Sequence, residues 1–363
     1  MINIHNYLAD AIKRIVNNAL KSAHKNYREL FYLYKFKKSS EKATIIRQRY
    51  DENNIHIPPF LIFSITSSCN LHCSGCYARA NNSCNDNICK DNEKSLDDKR
   101  INELFLEASE LGINFILLAG GEPLLRKNVI EIAKNHKKIL FPIFTNGTLI
   151  NDEYLEIFNK NRNLLPILSL EGREDKTDNR RGEGVFSILN LAMDSLNSKN
   201  IFYGVSITAD KNNLNEVTDD KFIESLMNKG CKVVFYIEYV PMDKKSEAVV
   251  LNDNDRDYLD KTINNYGNKY KNMIFLSFPG DEKYLEGCLA AGRGFFHISV
   301  SGDAEPCPFS PFSDINLKEH SILEALSSPL FKELNSSGIL KEQHMGGCLL
   351  HQKEEEVKAL LNK

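Results

Sequence analysis

A chain of 363 residues, 42% of them apolar, can bury a sizeable core and has room for one large domain and a smaller one, which excludes a disordered or fibrous protein. No apolar run approaches a membrane span and no basic-then-apolar leader opens the chain, so the nine cysteines are read as reduced thiols and the protein as cytoplasmic. The net charge of −3 hides an asymmetry, because residues 1–50 hold eleven Lys/Arg against three Asp/Glu.

That basic segment, residues 1–55, forms a helical extension. Leu8, Ile12, Ile15 and Ala19 fall on one helical face, and Leu30, Phe31, Tyr34 and Phe36 continue in a second helix. The favoured reading is an extension whose apolar face packs on the main domain. The competing one is a surface within residues 1–40 that makes peripheral contact with an anionic membrane or meets an acidic partner. Nucleic acid is not expected, because no recognisable binding module accompanies the charge.

From Pro58 the chain alternates short apolar runs with amphipathic stretches, the rhythm of parallel β/α units. Strands are predicted at 60–66, 114–119, 139–144, 165–170, 202–208 and 232–238, each nearly continuous in apolar residues as in a sheet covered on both faces. Helices are predicted at 97–111, 128–136, 152–159, 185–198 and 216–228. This is an α/β fold, a partial (β/α)6 TIM-like barrel over residues 56–241, which places chemistry at the carboxyl ends of its strands. Cys69, Gly120, Thr145, Ser169, Thr208 and Glu238 lie at or just after such ends. Residues 242–280 read as a polar linker with a helix around 256–266. Residues 281–363 read as a small α+β domain of short strands, glycine turns and three more cysteines.

The first barrel strand runs into Cys69-x3-Cys73-x2-Cys76 followed by Tyr77, three thiolates on one short loop. Structural zinc usually takes four tetrahedral ligands, whereas a [4Fe–4S] cube on three cysteines leaves one iron open. The bland alternative is a zinc-held loop with a fourth ligand such as His72 or Cys84. The spacing, with the following Tyr, resembles the signature of the radical S-adenosylmethionine (radical SAM) enzymes. Gly75 departs from that pattern, since many members carry an aromatic residue there. The resemblance implies a [4Fe–4S] cluster on Cys69, Cys73 and Cys76 whose open iron chelates S-adenosylmethionine. It also implies reductive cleavage to a 5′-deoxyadenosyl radical, and a flavodoxin or ferredoxin as electron donor.

Further motifs follow at the later strand ends. Gly120-Gly121-Glu122-Pro123 resembles the stretch that holds the amino group of S-adenosylmethionine in that family; its glycines permit close backbone approach and Glu122 can accept from an ammonium group. Thr145-Asn146 and Ser169 offer short polar side chains for a ribose or a substrate. Arg181, with Arg180 as the register alternative, is similar to the arginine that pairs with the cofactor carboxylate, for which a guanidinium's two parallel donors are suited. Glu238 and Tyr239 are candidates for lining the pocket. No acid or base follows from the sequence, so the catalytic residues are left unassigned.

Cys288-x13-Gly302-x4-Cys307 resembles the opening of the SPASM/twitch extension, with Cys348 as a third ligand, and implies one auxiliary iron–sulfur cluster. Its fourth ligand is left open among Cys84, Cys89, Cys231, His344, His351 or an uncapped iron. Cys84 and Cys89 read equally well as free thiols, and Cys231 as a core residue. The expected function is hydrogen abstraction leading to oxidation or bond formation on an unidentified substrate. The alternative is a non-catalytic iron–sulfur or zinc protein that carries electrons or serves as a scaffold.

Overall fold

The computed structural model describes residues 4–23, 26–86, 95–244, 246–279, 282, 285, 287–342 and 348–361. Cys89 and His344 lie outside the described residues.

Among the described residues nine strands form one sheet in the order β7-β6-β5-β4-β3-β2-β1-β8-β9. The six expected strands are β1 (Phe60–Thr66), β2 (Phe115–Gly120), β3 (Phe141–Thr145), β4 (Leu164–Ser169), β5 (Gly204–Ala209) and β6 (Val233–Glu238), each within a residue or two of its expected position. Neighbours in this series pair in parallel. A seventh parallel strand, β7 (Ile274–Phe278), lies within the stretch read as a linker and pairs with β6 from Val233↔Ile274 to Ile237↔Phe278. On the other side, β8 (His297–Ile298) adds in parallel to β1, and β9 (Ala304–Glu305) turns back antiparallel on β8. The barrel is therefore not closed by hydrogen bonds. The gap between β1 and β7 is bridged by a relay of rings, with Phe295 5.2 Å from Phe60 and 5.3 Å from Phe278.

The covering helices begin where side chains satisfy their free amides. Asp97 accepts from Arg100 N, Asn151 from Tyr154 N, and Asn252 forms a reciprocal capping box with Asp255. The helix that follows β4 was not expected. Glu174–Arg181 is polar almost all round, burying only Thr177, and it carries Arg180 and Arg181.

The N-terminal extension is a helical pair, α1 (Ile4–Ser22) and α2 (Tyr27–Asp51). Leu8, Ile12, Val16 and Ala19 of α1 are buried. Leu8 joins the main core, and Ile12, Val16 and Ala19 belong to apolar clusters that include Phe115 and Leu140 at the starts of β2 and β3, and Val233 and Ile274 at the starts of β6 and β7. The apolar stripe of α1 thus closes the amino-terminal end of the barrel. The inner face of α2 docks through the fully buried Arg47, which donates to Gly112 O and, at 3.0 Å, to Thr44 Oγ1. Among the described residues no helix is long and apolar enough to cross a membrane.

The hairpin of β8 and β9 is fastened to β1 by a buried polar chain. His297 Nε2 lies 2.8 Å from Ser64 Oγ, and its Nδ1 lies 2.6 Å from Glu305 Oε2. The two cysteine regions therefore hang from adjacent strands of one sheet.

Candidate active site

Cys69, Cys73 and Cys76 leave the carboxyl end of β1 and line one wall of a cavity of about 470 Å³. The loop is held from behind, because Cys69 N donates to Asn85 O (3.2 Å) and Asn85 N to Ser67 O (2.8 Å). This return path brings Cys84 to Cys69. The Cys84 thiol donates to the Cys69 sulfur, which holds Cys69 below its ordinary value against the opposing effect of burial. Burial pushes Cys73 up, although Arg181 Nη1 donates to its sulfur at 3.7 Å.

Gly120 and Gly121 close the facing wall. Gly121 N donates to Thr66 O and Glu122 N to Ser68 O, both at 2.7 Å. A Cβ on either glycine would collide with the backbone of the strand and loop that carry the thiols, so only glycine permits this approach. Glu122 is buried, and its carboxylate accepts from Leu124 N (3.0 Å), Thr145 Oγ1 (2.7 Å) and Asn146 N (2.7 Å). Burial raises its pKa to about 7. In this state Glu122 ties β2 to the end of β3, and Thr145 is fully buried behind the cavity wall as its partner.

Of the remaining expected residues, Tyr77, Asn146, Ser169 and Arg181 line the same cavity as the cysteine loop, with Glu238 and Tyr239. Tyr77 faces both cysteine regions. Burial raises its pKa, with Cys76 and Cys307 both adding to the shift, and its ring lies 4.9 Å from that of Phe309. Arg181 pairs with the buried Glu171, which also receives Thr208 N at 3.0 Å. Burial opposes the charge of Arg181, but Glu171 and the neighbouring thiolates outweigh it and raise its pKa. Arg180 stands 3.5 Å from the same carboxylate and 5.3 Å from the Tyr239 ring.

Glu171 was missed in the sequence, and Glu238 was expected here without its partner. Glu171 lies two residues past Ser169 and was passed over as part of a polar turn. Glu238 has a partner that no local pattern announces, Arg256 of the Asp253–Lys269 helix, whose Nε donates to both carboxylate oxygens at 2.9 and 3.0 Å.

In the second region Cys288, Cys307 and Cys348 come together. Cys307 and Cys348 share a hydrogen bond, Cys288 and Cys348 influence one another, and burial raises both Cys288 and Cys307. Glu282, unmarked in the sequence, hydrogen-bonds Cys288. Cys231 is buried at the entry to β6 with its thiol on Val233 O (3.3 Å), as a core residue.

The donor sets fit the expected groups. Among the described residues no three Cys, His, Asp or Glu side chains converge closely enough to hold a single metal ion; a cubane is larger and takes its thiolates spread around it. Arg181 Nε is buried with no acceptor, which suits a carboxylate arriving beside the thiol loop.

An incomplete parallel barrel with three thiols on the loop after its first strand defines a class of cluster-bearing α/β enzymes. Residues 63–235 match the family model of the Radical SAM superfamily, so this part of the chain is a radical SAM domain. It is 24% identical over 310 residues to the AdoMet-dependent heme synthase of Methanosarcina barkeri, covering 78% of this chain and 86% of that protein. It is 25% identical over 297 residues to the antilisterial bacteriocin subtilosin biosynthesis protein AlbA of Bacillus subtilis, covering 78% and 62%. Among solved structures, Streptococcus suis SuiB bound to S-adenosylmethionine superposes with a TM-score of 0.64 at 18% identity, covering 85% of this chain and 71% of that one.

Proposed function

We propose that this chain reductively cleaves S-adenosylmethionine and uses the resulting radical to remove a hydrogen from a substrate, as the first step of an oxidation or bond formation. The observation that carries this reading is the meeting on one cavity of three thiols, the Gly120-Gly121 turn and Arg181, whose buried Nε has no acceptor. When bound, a [4Fe–4S] cluster on Cys69, Cys73 and Cys76 would supply the electron that breaks the sulfonium S–C5′ bond. Arg181 would take the carboxylate, aligned by Glu171. The turn at Gly120 would lie against the amino group, with Glu122 holding the turn to β3. Asn146 and Ser169 stand where a ribose or substrate hydroxyl needs partners.

Cys288, Cys307 and Cys348 would hold one auxiliary cluster, with Glu282 or an open iron completing it. Tyr77, flanked by Cys76 and Phe309, fills the space between the two centres. Such a cluster suits acceptance of the electron left on a substrate after hydrogen removal. A flavodoxin or ferredoxin would serve as reductant. The outer face of α2 would supply peripheral contact with an anionic membrane.

Anaerobic reconstitution with iron and sulfide, then dithionite and S-adenosylmethionine, is expected to yield 5′-deoxyadenosine. The Cys69→Ala/Cys73→Ala/Cys76→Ala variant is expected to yield none. A wild-type protein that holds zinc and forms no 5′-deoxyadenosine would instead support the scaffold reading.

A further inference from the structure

In a TIM barrel the inward side chains pack the interior in layers, so that they are among the most buried residues of the fold. On β1, β2 and β6 the order is reversed. Leu61, Phe63, Ile116, Leu118, Val234 and Tyr236, which point from their strands toward the helices, are at most 1% exposed. Their alternates Ile62, Leu117, Phe144, Phe235, Ile237 and Leu276 point inward and are only half-buried, because they border the cavity that begins at the thiol loop. The period of two in β1, β2 and β6 thus separates a tightly packed outer face from an unfilled inner one.

The chemistry of this interior is graded along its length. At the carboxyl ends of the strands it is polar, with Asn146, Ser169, Arg181, Ser206 and Thr208. Below them the lining contributed by the strands is apolar down to the floor, which α1 supplies through Leu8, Ala11, Ile12 and Ile15. At that far end Glu29 and Arg162 also border the cavity, but they are 3.4 Å apart and paired with each other. Water needs two to four polar partners to be held in such a space, and these walls do not offer them. Its size falls within the range of small-molecule sites.

We propose that the barrel interior accepts an extended hydrocarbon chain, so that the substrate is an amphiphile with an acyl- or isoprenoid-like tail. The tail lies along Leu117, Phe144, Phe235 and Leu276 toward α1, and the polar part stays at the carboxyl ends of the strands. This rests on the radical SAM reading for the position of the cofactor, but the binding it describes needs neither cluster nor cofactor.

The test is titration of the full chain with 11-(dansylamino)undecanoic acid, followed by fluorescence and competed with palmitate. Saturable binding of one probe per chain is expected, displaced by palmitate, with palmitate also raising the thermal midpoint. Leu117→Trp fills the interior from β2 and Ala11→Phe from the floor; each is expected to weaken the probe at least tenfold while circular dichroism is retained. Phe31→Glu/Tyr34→Glu, on the outer face of α2, is expected to leave it unchanged. No saturable binding, no displacement by palmitate, or loss only in the α2 variant overturns the proposal. Should either lumen variant fail to fold, the wild-type thermal shift and palmitate competition still decide it. Wild-type formation of 5′-deoxyadenosine without probe binding removes this inference alone, whereas probe binding without 5′-deoxyadenosine removes the radical reading and leaves this one standing.

Discussion

Tyr239 occupies the space in front of Gly75. Gly75 sits at φ +67°, and a Cβ there would come within 2.6 Å of the Tyr239 hydroxyl and 2.9 Å of its ring. An aromatic side chain next to the third cysteine is therefore present after all, supplied by the end of β6 rather than by the loop itself. Gly75→Ala is expected to cost about 1–2 kcal/mol from the left-handed backbone alone, and more from the collision. Tyr239→Ala in that background should recover the second part only. A double-mutant cycle of unfolding midpoints, with iron per chain measured in parallel, checks this; additive effects would sink the contact.

Arg181 offers a second test of geometry. Its guanidinium already serves Glu171 and Cys73, leaving Nε for a ligand. Lysine keeps the charge but not the fork. Arg181→Lys should therefore retain iron yet bind S-adenosylmethionine about tenfold more weakly, since a hydrogen bond to a charged group is worth roughly 1.5–3 kcal/mol. Equilibrium dialysis of the reconstituted protein measures it, and unchanged affinity would assign the carboxylate elsewhere.

What the sequence disclosed and what it hid follow from the range of the interactions. The thiol loop, Gly120-Gly121 and the six central strands are local patterns, and they were legible. β7 was not, because its five residues lie among Asp, Asn and Lys and pack on a polar-looking helix through Tyr266 and Tyr270. The Glu174–Arg181 helix lacks an apolar stripe, so periodicity could not announce it. Pairings such as Ser64 with His297 or Glu238 with Arg256 exist only once the barrel has formed.

Stability should depend on pH through the floor of the barrel. Glu29 is buried beside Arg162, and burial raises its pKa to about 7 from 4.5. Between those values the folded state binds more protons than the unfolded one, so stability falls as pH rises from about 4.5 to 7, by at most about 1.4 kcal/mol per pH unit. Glu29→Gln should flatten that part of the profile. Urea midpoints across the range, compared with wild type, provide the measurement; equal slopes would show that Glu29 titrates normally.

The two cysteine regions should load independently. Replacing Cys288, Cys307 and Cys348 with Ala is expected to remove about half of the iron, the share of one of two four-iron clusters. The paramagnetic signal that responds to S-adenosylmethionine should remain, along with some 5′-deoxyadenosine formation. Complete loss of cleavage with the first cluster intact would contradict this division of roles.

The outer face of α2 has no packing explanation. Tyr27, Phe31, Tyr34 and Ile45 are 75%, 61%, 54% and 50% exposed and recur at helical spacing, while Leu33, Phe36 and Ala43 cover the opposite, buried face. Lys35 lies over the Phe31 ring at 4.2 Å and Lys38 over Tyr34 at 4.7 Å, and Arg28, Lys42 and Arg49 are exposed on the same helix. Rings with basic groups beside them match an interface of anionic headgroups, where each basic residue contributes about 1 kcal/mol. The protein is expected to sediment with phosphatidylcholine vesicles containing phosphatidylserine, to release at high salt, and to ignore vesicles of phosphatidylcholine alone. Phe31→Glu/Tyr34→Glu should abolish sedimentation without changing circular dichroism. Equal binding to both vesicle types, or none to either with self-association through this face instead, would assign the stripe to a second copy of the chain.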